Sequence, residues 1–431
     1  MRSSSLYRLV GWTLAGNVAF GFSQWGITIA VAKLGHEGMV GELALAWAVT
    51  TPVFVFSTLQ LRQLLVSASD DEVSFRDYLT ARRLLTTGAL VATILIVLAL
   101  GYRGERLAVM VAVGVAKALD SLVDIHLGWL QRQERMDRVA KALFVNGAMA
   151  LGAAAAAMSV WRHASIAALA SGLGPLAALV VVSRWNAGEP RWSAKGSGLR
   201  GVIALATLGL PLGVVMGLVA VQTNLPRLFV DRHLGISALG IFAAASQLTN
   251  VGANLVSSIA TATVRRIARA FSSGEVADFR RITWRLFGLG LGIGLAGAAL
   301  SFLAGRQILS IVYTPDYAQG ASVLVSLSIA AGLSYGASFL GYSMTMARRL
   351  RIQVILFLFA AAVTWGGCAL AVPVLGLHGA ALGAGIGSVA QILGSAAVLR
   401  SAERSLTRAQ SLPPEEPTSG GQRSSASIDP S

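Results

Sequence analysis

Apolar residues in this chain come in long, nearly unbroken blocks separated by short basic stretches. We read twelve such blocks, at 9–31, 40–61, 84–101, 107–130, 140–161, 165–182, 201–228, 236–262, 286–303, 318–344, 352–372 and 380–399. A membrane-crossing helix needs about 20 apolar residues, and each block is of that order. The pattern predicts twelve transmembrane helices. A transmembrane β-barrel is excluded, because it requires short segments alternating apolar and polar residues. The first block follows Arg2 and Arg8 as the apolar core of a signal peptide would. It is too long for one and eleven more blocks follow it, so it is expected to stay as a helix.

Composition agrees. Of 431 residues, 55% are hydrophobic and only 13% charged, with a mean hydropathy of +0.66. Soluble domains carry about 25% charged residues. The net charge of +15 raises the question of nucleic acid, and the placement of the charge answers it. Of 35 lysines and arginines, 27 fall in the N-terminus, the loops 62–83, 131–141, 183–200, 264–285 and 347–351, and the C-terminal tail; 7 fall in the alternate connections, and Lys117 is the remaining one. Cytoplasmic loops of membrane proteins concentrate lysine and arginine. The split therefore predicts that both termini are cytoplasmic, and attraction to anionic membrane lipids adds to it. No nucleic-acid partner is needed. Trp12, Trp129, Trp161 and Trp284 fall at expected span ends, whereas Trp25, Trp47 and Trp365 lie deeper and are expected to pack between helices.

The two halves echo each other. AALASGLG at 167–174 matches AALGAGIG at 380–387, and LGW at 127–129 matches LGY at 340–342, both at an offset of 213 residues. Leu34–Gly35 likewise matches Leu234–Gly235. This collinearity predicts an all-α integral membrane protein of two pseudo-symmetric six-helix bundles, at 1–190 and 196–402. A linker at 183–200 joins them, and a polar tail, 403–431, is expected to be disordered. An even repeat unit keeps both bundles in one orientation, related by an axis along the membrane normal. Pro52, Pro175, Pro211 and Pro226 interrupt the second, sixth and seventh spans, where neighbouring helices can satisfy the freed backbone groups. The connection between the last two spans is expected at 373–379.

The candidate chemistry lies in the segment KALDSLVDIH at 117–126. Lys117, Asp120 and Asp124 are spaced i, i+3, i+7 and so share one helix face, with His126 opposite. Lys117 is expected about 15 Å into its span at 1.5 Å rise per residue. There an ionised side chain costs roughly 2.5–3.5 kcal/mol on insertion scales. Two readings stay open: an ion-paired glue, with Lys117 on Asp120 and Asp124 on Arg132 or Arg135, or a charged stripe lining a central cavity. Gln24 and Asn224 each lie ten residues before a Leu–Gly pair. Asn250 belongs to a polar stripe with Gln247 and Asn254, and Arg62 and Arg227 sit near opposite ends of their spans. Amides and arginines at such places serve either as interhelical contacts or as ligand contacts.

No catalytic motif is present: no H-E-x-x-H, C-x-x-C, Walker A or G-x-S-x-G. His36, His163, His233 and His378 are dispersed among different connections, which argues against a metal site. Cys368 has no cysteine partner. The reading is of a non-enzyme with no cofactor.

The stretches GELALAWAVTTPVFVFSTLQLRQ (41–63), FRDYLTARR (75–83), QERMDRVA (133–140), GLPLGVVM (209–216), NLPRLFVDRHLGISALGIFAAASQL (224–248) and GLHGAALGAGIG (376–387) resemble the bacterial polysaccharide (O-antigen or capsule) flippases of the multidrug/oligosaccharidyl-lipid/polysaccharide exporter superfamily. The resemblance covers 1–400 as spacing and character, without one invariant signature. It implies two six-helix lobes in a V about a central cavity, alternating access, and a bacterial cytoplasmic membrane. The implied substrate is oligosaccharide on polyprenyl pyrophosphate, moved from the inner to the outer leaflet for cell-surface polysaccharide export. It also implies that cavity cations meet the pyrophosphate, which here points to Lys117, then Arg62 and Arg227. Asp120 and Asp124 are not explained that way; they are left to tuning the lysine, contacting sugar hydroxyls, or binding a coupling ion, H+ or Na+. A cation-coupled multidrug antiporter of the same superfamily is the alternative, and a polysaccharide polymerase or ligase a weaker one, since the outer loops are short.

Overall fold

Every apolar block becomes helix. A computed structural model describes residues 3–68, 74–186, 198–347 and 349–411. In chain order the helices are α1 (Ser3–Leu34), α2 (Glu37–Ser57), α3 (Leu61–Ser67), α4 (Phe75–Ala99), α5 (Gly104–Arg132), α6 (Met136–Trp161), α7 (Ala164–Ser171), α8 (Leu173–Asn186), α9 (Leu199–Leu234), α10 (Ile236–Ser272), α11 (Val276–Val312), α12 (Ala321–Met346), α13 (Leu350–Leu375) and α14 (Leu377–Ser411). Because α2 with α3, and α7 with α8, each make one interrupted span, the described residues form twelve membrane-length units. Ten are long and apolar enough to cross a membrane by length and composition. The other two are α1, with Asn17 and Gln24 in it, and α5, which carries the charged stripe.

Several boundaries differ from the sequence reading. The loops read at 62–83 and 264–285 are mostly helix: α3 and α4 leave only a short connection, and α10 and α11 are joined by a tight turn at 273–275. Hydropathy marks the part of a helix that meets hydrocarbon, and helices continue past it into water. Pro373 lies inside α13 rather than in a loop. The last helix runs to Ser411, beyond 402; the rest of the tail, and 187–197 of the linker, lie outside the described residues. Trp129 is buried against Phe75, with ring centroids 4.9 Å apart, not at an interface. Trp365, expected inside, is 57% exposed.

The two halves pack alike. In the first, α1 lies on α6, α2 and α4 on α5, and α6 on α8; in the second, α9 lies on α13, α10 and α11 on α12, and α13 on α14. The result is two six-helix lobes. They join mainly where α2 meets α9 and α10.

One end of the molecule carries most of the arginines (the basic end), and the lobes close on each other at the opposite, far end. There Val31, Leu43, Leu239, Phe242 and Tyr313 share one apolar cluster. The Trp25 indole donates to the Tyr313 hydroxyl (2.9 Å) and Gln247 to Thr28 (3.4 Å). Tyr102 donates to Asp231 at 3.4 Å; burial and then the neighbouring Asp231 push its phenol above the ordinary tyrosine range, so it remains a donor. Gly41 and Gly240 let α2 and α10 touch: a Cβ on Gly41 would stand 2.0 Å from the Ile236 carbonyl oxygen. Toward the basic end α2 stays on α9, while Asn17, Val18 and Phe22 of α1 and Asn250, Val251 and Leu255 of α10 are exposed.

Candidate functional site

The site begins with a break in the second span. Leu59 and Gln60 adopt left-handed φ of 43° and 52°, a conformation costing about 1–3 kcal/mol for a non-glycine residue. Local bonds hold it: the Thr58 hydroxyl donates to the Val55 carbonyl (2.8 Å), and the Leu61 amide to the Thr58 carbonyl (2.9 Å). Leu59 is buried against α9, where Gly209 and Gly213 have no side chain to obstruct it. The break redirects the chain, so that Arg62, in the first turn of α3, faces α5.

Arg62 and α5 make an ion cluster. Arg62 Nη1 donates to Asp124 Oδ1 (3.0 Å), while its Nε and Nη2 both reach Gln131 Oε1 (3.2 and 3.0 Å). From the other side Arg82 of α4 donates through Nη2 to Asp124 Oδ2 (3.1 Å) and through Nη1 to Ser121 (3.4 Å). Ser121 in turn shares a 2.9 Å hydrogen bond with Thr86. The expected Asp124 partners, Arg132 and Arg135, are thus replaced by Arg62 and Arg82. Arg82 sits at 81–83 in what read as a basic loop, and only the inward extension of α4 makes it interior.

About 10 Å further along α5, at 1.5 Å per residue, lies the second group. Lys117 and Asp120 line a cavity of ≈ 60 Å³ with Gln24, Ile27, Leu43 and Trp47. That volume holds a few waters. Lys117 is half-buried and has no hydrogen bond or ion pair among the described residues. It does not pair with Asp120: Asp120 Oδ1 accepts from Asn146 Nδ2 of α6 at 2.8 Å. Arg227, from the other lobe, has neutral partners only, Asn224 Oδ1 (3.1 Å) and Ser246 (3.4 Å).

The remaining residues separate. Asn224 is buried, donates to the Ala220 carbonyl (2.8 Å), and orients Arg227. Asn250 is exposed on α10 and donates to Gln247. His126, opposite the stripe, is buried and bonded to the Leu122 carbonyl (2.8 Å). No group of three His, Cys, Asp or Glu among the described residues could hold a metal. Sequence reading missed Arg82, Ser121, Gln131 and Asn146. A polar residue in an otherwise apolar span was the available signal for Asn146.

A protein-family model described as polysaccharide biosynthesis protein matches residues 11–271. The capsular polysaccharide biosynthesis protein CapF of Staphylococcus aureus is 20% identical over 333 residues, which is 77% of this chain and 83% of the relative. Among solved structures, a MOP superfamily transporter from Pyrococcus furiosus, described as having a binding pocket of reversed polarity, aligns with a TM-score of 0.64 at 17% identity over 94% of this chain and 96% of that one. A Vibrio cholerae MATE transporter gives a TM-score of 0.64 at 12% identity, over 94% and 97%. At these identities the structural likeness speaks to fold alone.

Proposed function

The chain belongs to the polysaccharide biosynthesis protein family, a group of multi-pass membrane proteins here built on a transporter fold, and from that premise we propose that it flips polyprenyl-pyrophosphate-linked oligosaccharide across the bacterial cytoplasmic membrane by alternating access. One observation carries the reading: among the described residues Lys117 lines the α5 cavity with no hydrogen bond or ion pair, and Arg227 of the other lobe is held by neutral partners alone. Cations kept inside a membrane protein without a salt bridge mark a path for anions, and a diphosphate supplies the missing charge. The α5 stripe gives the polar headgroup a route that lipid denies it, while the polyprenyl tail stays in the bilayer. Gln24 lies beside Lys117 and Asn224 holds Arg227, so both would position the cations; Asn250 lies on the exposed part of α10, where a long sugar chain would pass.

The basic end is then cytoplasmic, with both termini, and the lobes are closed on the outer side. Asp120, bonded to Asn146 and beside Lys117, is where a coupling proton or Na+ would act. No catalytic step is proposed. An antiporter of organic cations shares the fold but needs an anionic interior, and here Arg62, Arg82, Lys117 and Arg227 outnumber Asp120 and Asp124. Purified protein in liposomes tests the proposal: lipid-linked oligosaccharide should change leaflet with the wild type and not with Lys117→Ala. Movement of an organic cation with no movement of the lipid-linked sugar would reverse the assignment.

A further inference from the structure

Asp124 is shared by two guanidiniums, one on each oxygen. One carboxylate and two arginines leave a surplus of one positive charge, and burial decides where it resides. The Arg82 side chain is fully buried at 0% exposure, whereas Arg62 is 31% and Asp124 33% exposed. We propose that Arg82 is a positioning residue: by holding Asp124 from the buried side it leaves Arg62 with an uncompensated charge at the mouth of the interior, where Arg62 receives the diphosphate before Lys117 does. The proposal rests on the flippase reading above and names the order of contacts within it.

The geometry supports each step. Arg82 cannot meet substrate, because it is walled in by Ser121, Thr86 and the Asp124 carboxylate, and its Nε finds no partner among the described residues. A buried guanidinium with an unsatisfied N–H is costly to keep, and alone it would not be retained for packing. Arg62 is held differently. Gln131 takes its Nε and one Nη2 hydrogen but is neutral, so it fixes the plane without consuming the charge. Asp124 takes one Nη1 hydrogen. One hydrogen on each terminal nitrogen is left over, and each can meet a phosphate oxygen. The exposed part of an ion pair within a span faces water rather than lipid, so these hydrogens open onto the interior. Asp124 lies about 12 Å from the basic end of α5, and Lys117 about 10 Å deeper on the same face, at 1.5 Å rise per residue. An anion entering from the basic end passes Arg62 first.

The test is a charge series read by binding of inorganic pyrophosphate to the full-length protein in nanodiscs, by calorimetry at fixed ionic strength. Arg82→Leu makes the cluster neutral and should weaken binding by about tenfold, the loss of one charge-assisted contact. Arg82→Leu combined with Asp124→Asn returns the cluster to a single positive charge and should restore binding, although packing around position 82 is still altered. A purely structural Arg82 predicts the reverse, with the double variant as weak as the single. Wild-type affinity in Arg82→Leu, or no recovery in the double variant, overturns the proposal. If Arg82→Leu does not insert, Asp124→Asn alone decides: raising the cluster by one charge should tighten binding severalfold, and unchanged affinity overturns it. Wild type that binds pyrophosphate and loses it with Lys117→Gln, while the Arg82 series is silent, leaves the flippase reading standing and removes this one. Wild type that binds none removes both.

Discussion

Lys117 is the residue on which the chemistry turns, because it is charged, half-buried in the middle of a span, and bonded to nothing among the described residues. A structural lysine would hold a carboxylate, and the nearest, Asp120, is bonded to Asn146 instead. Lys117→Ala should therefore leave the amount of protein in the membrane near normal while pyrophosphate binding falls about 10- to 100-fold, the range for a hydrogen bond to a charged group. Lys117→Arg should retain part of it, since arginine binds phosphate with different geometry. Loss of protein in Lys117→Ala, rescued by adding Asp120→Ala, would instead mark the two as a dispensable pair. The stripe itself was legible because charge inside an apolar block has no local explanation, and i, i+3, i+7 spacing fixes one face whatever the tertiary fold. Its partners were not. Arg62 and Arg82 lie 62 and 42 residues from Asp124 in the chain, and basic residues beside a span look alike whether they snorkel outward or turn in.

At the scale of elements, the lobes meet through close backbone contact as well as through the large side chains of the apolar cluster. The two sites are Gly41 against Ile236 and Gly240 against Glu37. Side chains there force α2 and α10 apart, and overpacking of this kind costs about 1–3 kcal/mol, enough to shift a two-state population roughly 5- to 150-fold. Gly41→Leu should bias the protein toward an open far end. The check is Thr28→Cys in a Cys368→Ala background: its labelling by a membrane-impermeant thiol reagent from the far side should rise with Gly41→Leu, and equal labelling with and without it would mean this contact is not the gate. Sequence found the helices and missed their lengths, since the Arg-rich ends of α4, α10 and α11 continue past the apolar blocks. The break at Leu59–Gln60 was invisible for a related reason. Neither residue is a turn former, and the conformation is imposed by α9, whose Gly209 and Gly213 receive Leu59.

Over the whole molecule, the same packing pattern appears twice while the interior charge appears once. At the 213-residue offset, Lys117, Asp120 and Asp124 correspond to Ala330, Leu333 and Ala337 of α12, and the second-half contacts between α11 and α12 include the neutral pairs Thr283–Ser343 and Ser301–Ser328 (3.1 Å each). The first lobe thus carries the charged stripe and the second contributes Arg227, so the proposed site draws on both lobes. Which side it opens to depends on orientation, and orientation rests on the basic end being cytoplasmic. Lysine and arginine flanking short loops set that choice, and 27 of 35 fall in the stretches that the sequence pattern assigns to one side. Reporter fusions truncated after Glu134 and Ser273, in turns at the basic end, should report cytoplasm; fusions after Arg103, His163 and Thr314, at the far end, should report the exterior. The inverted pattern would put the Arg62 mouth outside and reverse the proposed direction of transport. A mixed pattern, with Ser273 cytoplasmic and Thr314 also cytoplasmic, would mean that α11 does not cross the membrane, and the two lobes could not then share one orientation.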